Sequence, residues 1–126
     1  MAASVWNFAV HSPYTFTGFF QPVDNPPTLN SSKAGSAIPV KFSLGGNQGM
    51  VILARSYPVS QKVACDGGAP LDAIEETVSA GSSSLSYSSG QYVYVWKTDK
   101  AWAGTCRTLT VKLADGTSHV AQFKFK

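Results

Sequence analysis

Between Arg107 and Phe125 the chain is apolar at every second residue, reverses at Asp115-Gly116, and is apolar at every second residue again. Successive side chains of a strand point to opposite faces, so Leu109, Val111 and Leu113 share one face. On the returning segment Ala121, Phe123 and Phe125 do the same. Asp-Gly accepts the positive φ angles of a tight two-residue reversal, and the pattern predicts a β-hairpin. A lone hairpin cannot hide its apolar face from water, so the rest of the chain must supply a second layer.

The other segments supply it with the same period. Ser36 to Leu44 alternates, with Ile38, Val40, Phe42 and Leu44 inward and Pro39, Lys41 and Ser43 outward. Gln91 to Trp96 is apolar on both faces, with Tyr92, Tyr94 and Trp96 opposite Val93 and Val95, which predicts a central strand. Tyr14 to Phe20 alternates too, placing Tyr14, Phe16 and Phe20 opposite Thr15, Thr17 and Phe19. Met50 to Arg55 reads as an apolar strand returning from the Gly45-Gly46-Asn47-Gln48-Gly49 turn.

Weaker signals complete the set. A short strand is expected around Gln61 to Cys65, and Asp72 to Val78 suits either one helical turn or a strand. Gly81 to Gly90 reads as a weakly structured hairpin or exposed loop, and Gln21 to Asn30, with Pro22, Pro26 and Pro27, as an edge segment or extended loop. Turn residues recur every ten or so positions, and the count comes to about seven antiparallel strands in two sheets. The expected fold is all-β, an immunoglobulin-like sandwich in a single domain over residues 1–126, with 1–12 a loosely ordered lead-in.

Composition narrows the function classes. Charged residues are only 13% of the chain, yet the 12% of aromatics argues against disorder. The longest uncharged apolar run, Met50 to Ala54, is far too short to cross a bilayer. From Gln91 onward Lys97, Lys100, Arg107, Lys112, Lys124 and Lys126 stand against Asp99 and Asp115. These bases are spaced singly along strands, which reads as solvated faces rather than a nucleic-acid surface.

Cys65 and Cys106 are the two cysteines. With His11 and His119 remote in sequence, they lack zinc-ligand spacing, and no metal or cofactor is expected. Two readings stay open, a disulfide or two unrelated buried thiols. Small and polar neighbours, Cys65-Asp66-Gly67-Gly68 and Gly104-Thr105-Cys106, favour the bridge. Closing that loop would stabilise the fold by about 4 kcal/mol in the chain-entropy treatment. Because Cys106 is out of phase with Leu109 and Val111, such a bridge would lie near a strand end rather than pin the two sheets. A persistent bridge implies an oxidising compartment. Met1-Ala2-Ala3-Ser4 has neither the basic start nor the apolar core of a signal peptide; for a secreted protein the chain is then a mature form or a domain of a longer precursor, with the signal peptide expected upstream.

Catalytic chemistry finds few parts. Neither histidine sits in a nucleophile pattern, and both read as solvated surface residues. Glu75-Glu76 are adjacent, so on a strand they face opposite ways and cannot flank one substrate. The glycine-rich turn lacks the following lysine and helix of a phosphate loop. Lys41, the candidate for an intramolecular isopeptide bond, faces away from the core. Trp96, Trp102, Tyr92 and Tyr94 could form a stacking platform for sugars; the competing reading puts Trp96 in the core and Trp102 over a sheet end.

Two stretches resemble a known family. Gly18-Phe19-Phe20-Gln21-Pro22-Val23-Asp24-Asn25 and Lys33-Ala34-Gly35-Ser36-Ala37-Ile38-Pro39-Val40-Lys41-Phe42-Ser43-Leu44-Gly45-Gly46 look like the signature of the PxKF domain. Tyr94-Val95-Trp96-Lys97-Thr98, Trp102-Ala103-Gly104-Thr105-Cys106-Arg107 and the Leu113-Ala114-Asp115-Gly116 reversal agree, so the likeness runs from about Tyr14 to Phe125. The resemblance implies an Ig-like module of secreted bacterial, often actinobacterial, proteins, with Cys65 and Cys106 at positions where a pair is expected. It carries no catalytic residues. The combined expectation is a non-catalytic extracellular or cell-surface accessory module, a spacer, stabiliser or adhesion unit. The alternative is a glycan- or cell-wall-binding domain that uses exposed aromatics. Expected partners are a polysaccharide or neighbouring domains, not nucleic acid and not a membrane span.

Overall fold

The computed structural model describes residues 14–66, 68–79 and 85–126. In chain order the strands are β1 (Thr17–Phe20), β2 (Leu29–Ser32), β3 (Ala37–Ser43), β4 (Val59–Val63) and β5 (Glu75–Glu76). They continue as β6 (Val78–Ser79), β7 (Leu85–Ser88), β8 (Gln91–Lys97), β9 (Cys106–Lys112) and β10 (Ser118–Phe125). One 3-10 turn, Lys100–Trp102, lies between β8 and β9. The lead-in expected over 1–12, His11 and positions 81–84 of the serine-rich stretch lie outside the described residues.

The strands form two sheets. One runs β1-β3-β8, with β6 and β7 both pairing with β8; the other runs β2-β10-β9-β4-β5. Every pairing is antiparallel except β2 with β10, which is parallel. The two inner faces meet in a single core, with Val40, Phe42, Tyr92, Tyr94 and Trp96 from one sheet and Leu109, Val111, Ala121, Phe123 and Phe125 from the other. The protein is an all-β sandwich, and β8 is the central strand its two-sided apolarity predicted.

Ten strand segments stand among the described residues where about seven are expected, in part because two stretches are broken between the sheets. Pro22, Pro26 and Pro27 have no N–H to give a ladder, so the chain leaves β1 and rejoins the other sheet as β2. Asparagine side chains hold the gap. Asn25 Oδ1 accepts from Phe19 N at 2.6 Å, and Asn30 Oδ1 accepts from Asp24 N at 2.8 Å. Asn30 Nδ2 also donates to Gln122 O at 2.9 Å, tying the segment to β10. The second break is at Thr77, where the chain crosses from β4's edge to β8's edge, making β5 and β6 two residues each.

Three expectations are corrected. Met50 to Arg55 is not a strand; it makes one bridge, Leu53 to Leu113, because its partner β9 ends there. Ile52 is buried, but Val51 is 88% exposed. Along β1 the register slips between Gly18 and Phe20, a bulge, so Phe19 is buried on the same side as Phe16. Strict alternation had put them apart. The hairpin reversal takes three residues, since Leu113 N donates to Thr117 O, and Gly116 with φ 89° closes the turn begun by Gly116 N to Leu113 O. The two-residue turn lies elsewhere, at Ser89-Gly90, whose φ angles of 52° and 80° join β7 to β8.

Lys41 sits on the outer side of β3, half-buried, and makes no ion pair or side-chain hydrogen bond among the described residues. Lys41→Ala should change stability by less than about 0.5 kcal/mol in urea unfolding. The intact mass should equal the sequence mass less the two hydrogens lost in joining Cys65 to Cys106, whereas an isopeptide bond would remove a further ammonia or water.

Candidate functional site

The aromatics proposed from the sequence part company. Tyr92, Tyr94 and Trp96 are buried on the inner side of β8, so they form no exposed platform. Their polar tips explain why tyrosines are tolerated there. Tyr92 Oη accepts from Gln48 N at 2.7 Å and donates to Gly49 O at 2.8 Å, anchoring the glycine-rich turn. Thr77 Oγ1 donates to Pro58 O at 2.9 Å and lies 2.6 Å from Tyr94 Oη. Burial raises the Tyr94 pKa above 10, with the Thr77 contact pulling weakly the other way. Trp96 Nε1 is buried without a partner among the described residues.

Trp102 alone of the four reaches the surface, half-buried at one end of the sandwich. The Asp99 carboxylate accepts from Ala101 N and caps the 3-10 turn that presents it. Below it lie Trp96 and Phe125, with ring centroids 5.8 and 5.5 Å away, and the Arg107 guanidinium 3.8 Å from its ring centre. The expectation that Trp96 fills the core and Trp102 covers a sheet end describes this arrangement.

Arg107 is the residue that sequence reasoning misjudged. Its charge and spacing read as those of a solvated base, yet it is buried. Its Nη1 donates to Ser60 Oγ at 3.2 Å and to Glu75 Oε1 at 2.6 Å, while Nε has no partner among the described residues. The signal was present: Arg107 is in phase with Leu109, Val111 and Leu113, so it must point inward. Ser60 faces it because β4 pairs Ser60 with Leu109, on the same inner side. Stacking on Trp102 and the half-exposed Glu75 carboxylate are what make an inward cation tolerable.

Cys65 and Cys106 are bonded, with Cα atoms 5.1 Å apart. Val63 pairs with Cys106 across β4 and β9, so the bridge closes the loop that follows β4 onto the first residue of β9. It lies on the outer side of its sheet, as the phase of Cys106 required. A cleft of about 500 Å³ beside it is walled by Pro27, Leu29, Val63 and Ala64. Its one polar side chain, Gln122, already accepts from Thr108.

A second groove, about 460 Å³, runs from Trp102 to the edge strand β6. Gly35 lets the Lys100 side chain lie against the backbone in its wall: the glycine φ is 90°, and a Cβ there would lie 2.7 Å from Lys100 Cγ. Thr98 at its base is committed, donating to Ser36 O at 2.5 Å and accepting from Gly35 N at 3.0 Å. Glu76, Lys97 and Lys100 are exposed along it and make no side-chain bond among the described residues.

Among the described residues no nucleophile is assembled at His119. Its ring stacks on Phe16, with centroids 3.6 Å apart, and Nε2 meets Thr117 Oγ1 at 3.0 Å. The same hydroxyl donates to Asp115 Oδ1 at 2.7 Å, so the carboxylate holds the hydroxyl rather than the imidazole, the reverse of a catalytic triad. Burial lowers the His119 pKa below 6.5, opposed by the nearby Asp115 charge. Burial pushes Asp115 up, but hydrogen bonds from Thr117 and Tyr14 and the nearby His119 outweigh it and hold the carboxyl below 3.8.

Both shifts favour the native state at neutral pH. The His119 contribution is present above pH 6.5 and is lost as pH falls through its lowered folded value; the Asp115 contribution follows below 3.8. In an NMR titration the His119 ring should have its midpoint below 6.5. A midpoint at or above that value would contradict the stack.

Among the described residues no three of His, Cys, Asp and Glu gather closely enough to hold a metal ion, and no helix is long and apolar enough to cross a membrane. No family model, curated protein or solved structure matches the chain.

Proposed function

We propose that the chain is a non-catalytic extracellular accessory module, a spacer, stabiliser or adhesion unit of a secreted or cell-surface protein. The observation that carries this reading is the Cys65–Cys106 disulfide, which suits a non-reducing environment. Consumption of Tyr92, Tyr94 and Trp96 by the core supports a structural rather than a platform role. We take the sandwich to be immunoglobulin-like. Support comes from the strand order: β1 pairs antiparallel with β3, its continuation β2 pairs parallel with β10, and β3-β8 and β10-β9-β4 form the two sheet centres. The likeness of the Pro39-Val40-Lys41-Phe42 stretch to the PxKF signature points the same way.

Fractionating cells that make the native protein tests the reading. It should be recovered from the culture medium or the cell surface; recovery from the cytosol would overturn it. The glycan-binding alternative loses three of its four aromatics, and Trp102 is the one that keeps it in view.

A further inference from the structure

We propose that the groove between Trp102 and β6 binds a short, uncharged oligosaccharide. This goes beyond the accessory-module reading, which would survive its loss. At about 460 Å³ the groove is within the range of small-ligand sites. Trp102 is held from below by Trp96, Phe125 and Arg107, so the part of it that lines the groove is fixed before any ligand arrives. Val78, exposed and paired with Lys97 across β6 and β8, adds an apolar surface.

A pyranose ring has an apolar face and a rim of hydroxyls, and this mixture of walls suits both. The polar groups with capacity to spare are Glu76, Lys97 and Lys100, an acceptor and two donors, while the Thr77 and Thr98 hydroxyls are already engaged. Charge decides the ligand class. Glu76 and Asp99 balance Lys97 and Lys100, so the groove gives no net attraction to a polyanion. The cleft beside the disulfide offers one polar side chain, Gln122, whose carbonyl is already engaged by Thr108, and no charged group, and so it carries no such reading.

The test is an NMR titration of the isotope-labelled chain with cellotriose, maltotriose, mannotriose and triacetylchitotriose, with trigalacturonate as the charged comparison. At least one neutral trisaccharide should shift the resonances of Trp102, Val78 and Lys97 at concentrations of about 1–10 mM, ordinary for a weak single site. The double variant Glu76→Ala/Lys97→Ala should keep the native spectrum elsewhere and weaken binding at least about fivefold, the loss expected for removed hydrogen bonds. Trp102→Ala is the weaker variant because that ring also covers Arg107. No shift with any neutral probe at about 20 mM, a site of perturbation elsewhere, or tighter binding of trigalacturonate would each overturn the proposal.

Discussion

Replacing Phe42 by alanine should cost the fold about 3–5 kcal/mol, while Ser43→Ala next to it should cost less than about 0.5 kcal/mol. Phe42 is fully buried at the centre of the sandwich, with Phe16 and Tyr92 stacked at centroid distances of 5.7 Å on each and Phe19 edge-on at 6.5 Å. Removing the ring takes away its burial and leaves a cavity those neighbours cannot fill without moving. Ser43 lies on the other face of β3, and among the described residues its hydroxyl accepts only from Gly45 N, at 3.3 Å. Urea unfolding at constant m-value reads both changes. Similar costs at the two positions would contradict the register, because a slip of one residue exchanges the faces of a strand.

Breaking the disulfide should be comparably large. The bridge spans 41 residues of sequence, and releasing that loop in the unfolded chain should remove about 4 kcal/mol of stability. For a chain of this size the melting temperature should fall by about 10–20 °C. The fold should nevertheless persist at room temperature, since the bridge lies outside the core and both sheets bury their inner faces without it. Reduced protein and the Cys65→Ala/Cys106→Ala variant should agree. A loss of the near-ultraviolet signal on reduction would mean that the bridge, and not the core, holds the sheets together.

The strands that could be read from the sequence are those whose partners run their full length. β3, β8, β9 and β10 pair along six or seven residues each, so the period of two is undisturbed and their inward residues are those expected. Met50 to Arg55 has as much apolar character, but β9 ends beside it, and hydrophobicity does not reveal where a partner stops. The β1 bulge inserts one residue and moves Phe19 to the core side, a shift that alternation alone cannot anticipate. At the candidate site the aromatics were visible, but burial separates Trp102 from Tyr92, Tyr94 and Trp96, and burial depends on both sheets at once. Arg107 shows the opposite case. Its phase places it inside, and its charge argues against that; Ser60 and Glu75, distant in sequence, together with the nearby Trp102 make the inward position tenable.

The account rests most heavily on the link between Cys65 and Cys106. Protein should be produced in an oxidising compartment, unfolded without reductant, alkylated, and weighed intact. The predicted mass shows no alkyl group and is two hydrogens below that of the fully reduced chain, and digestion yields one cross-linked pair containing Cys65 and Cys106. Two alkylated cysteines in protein made that way would contradict the disulfide and the extracellular reading that depends on it.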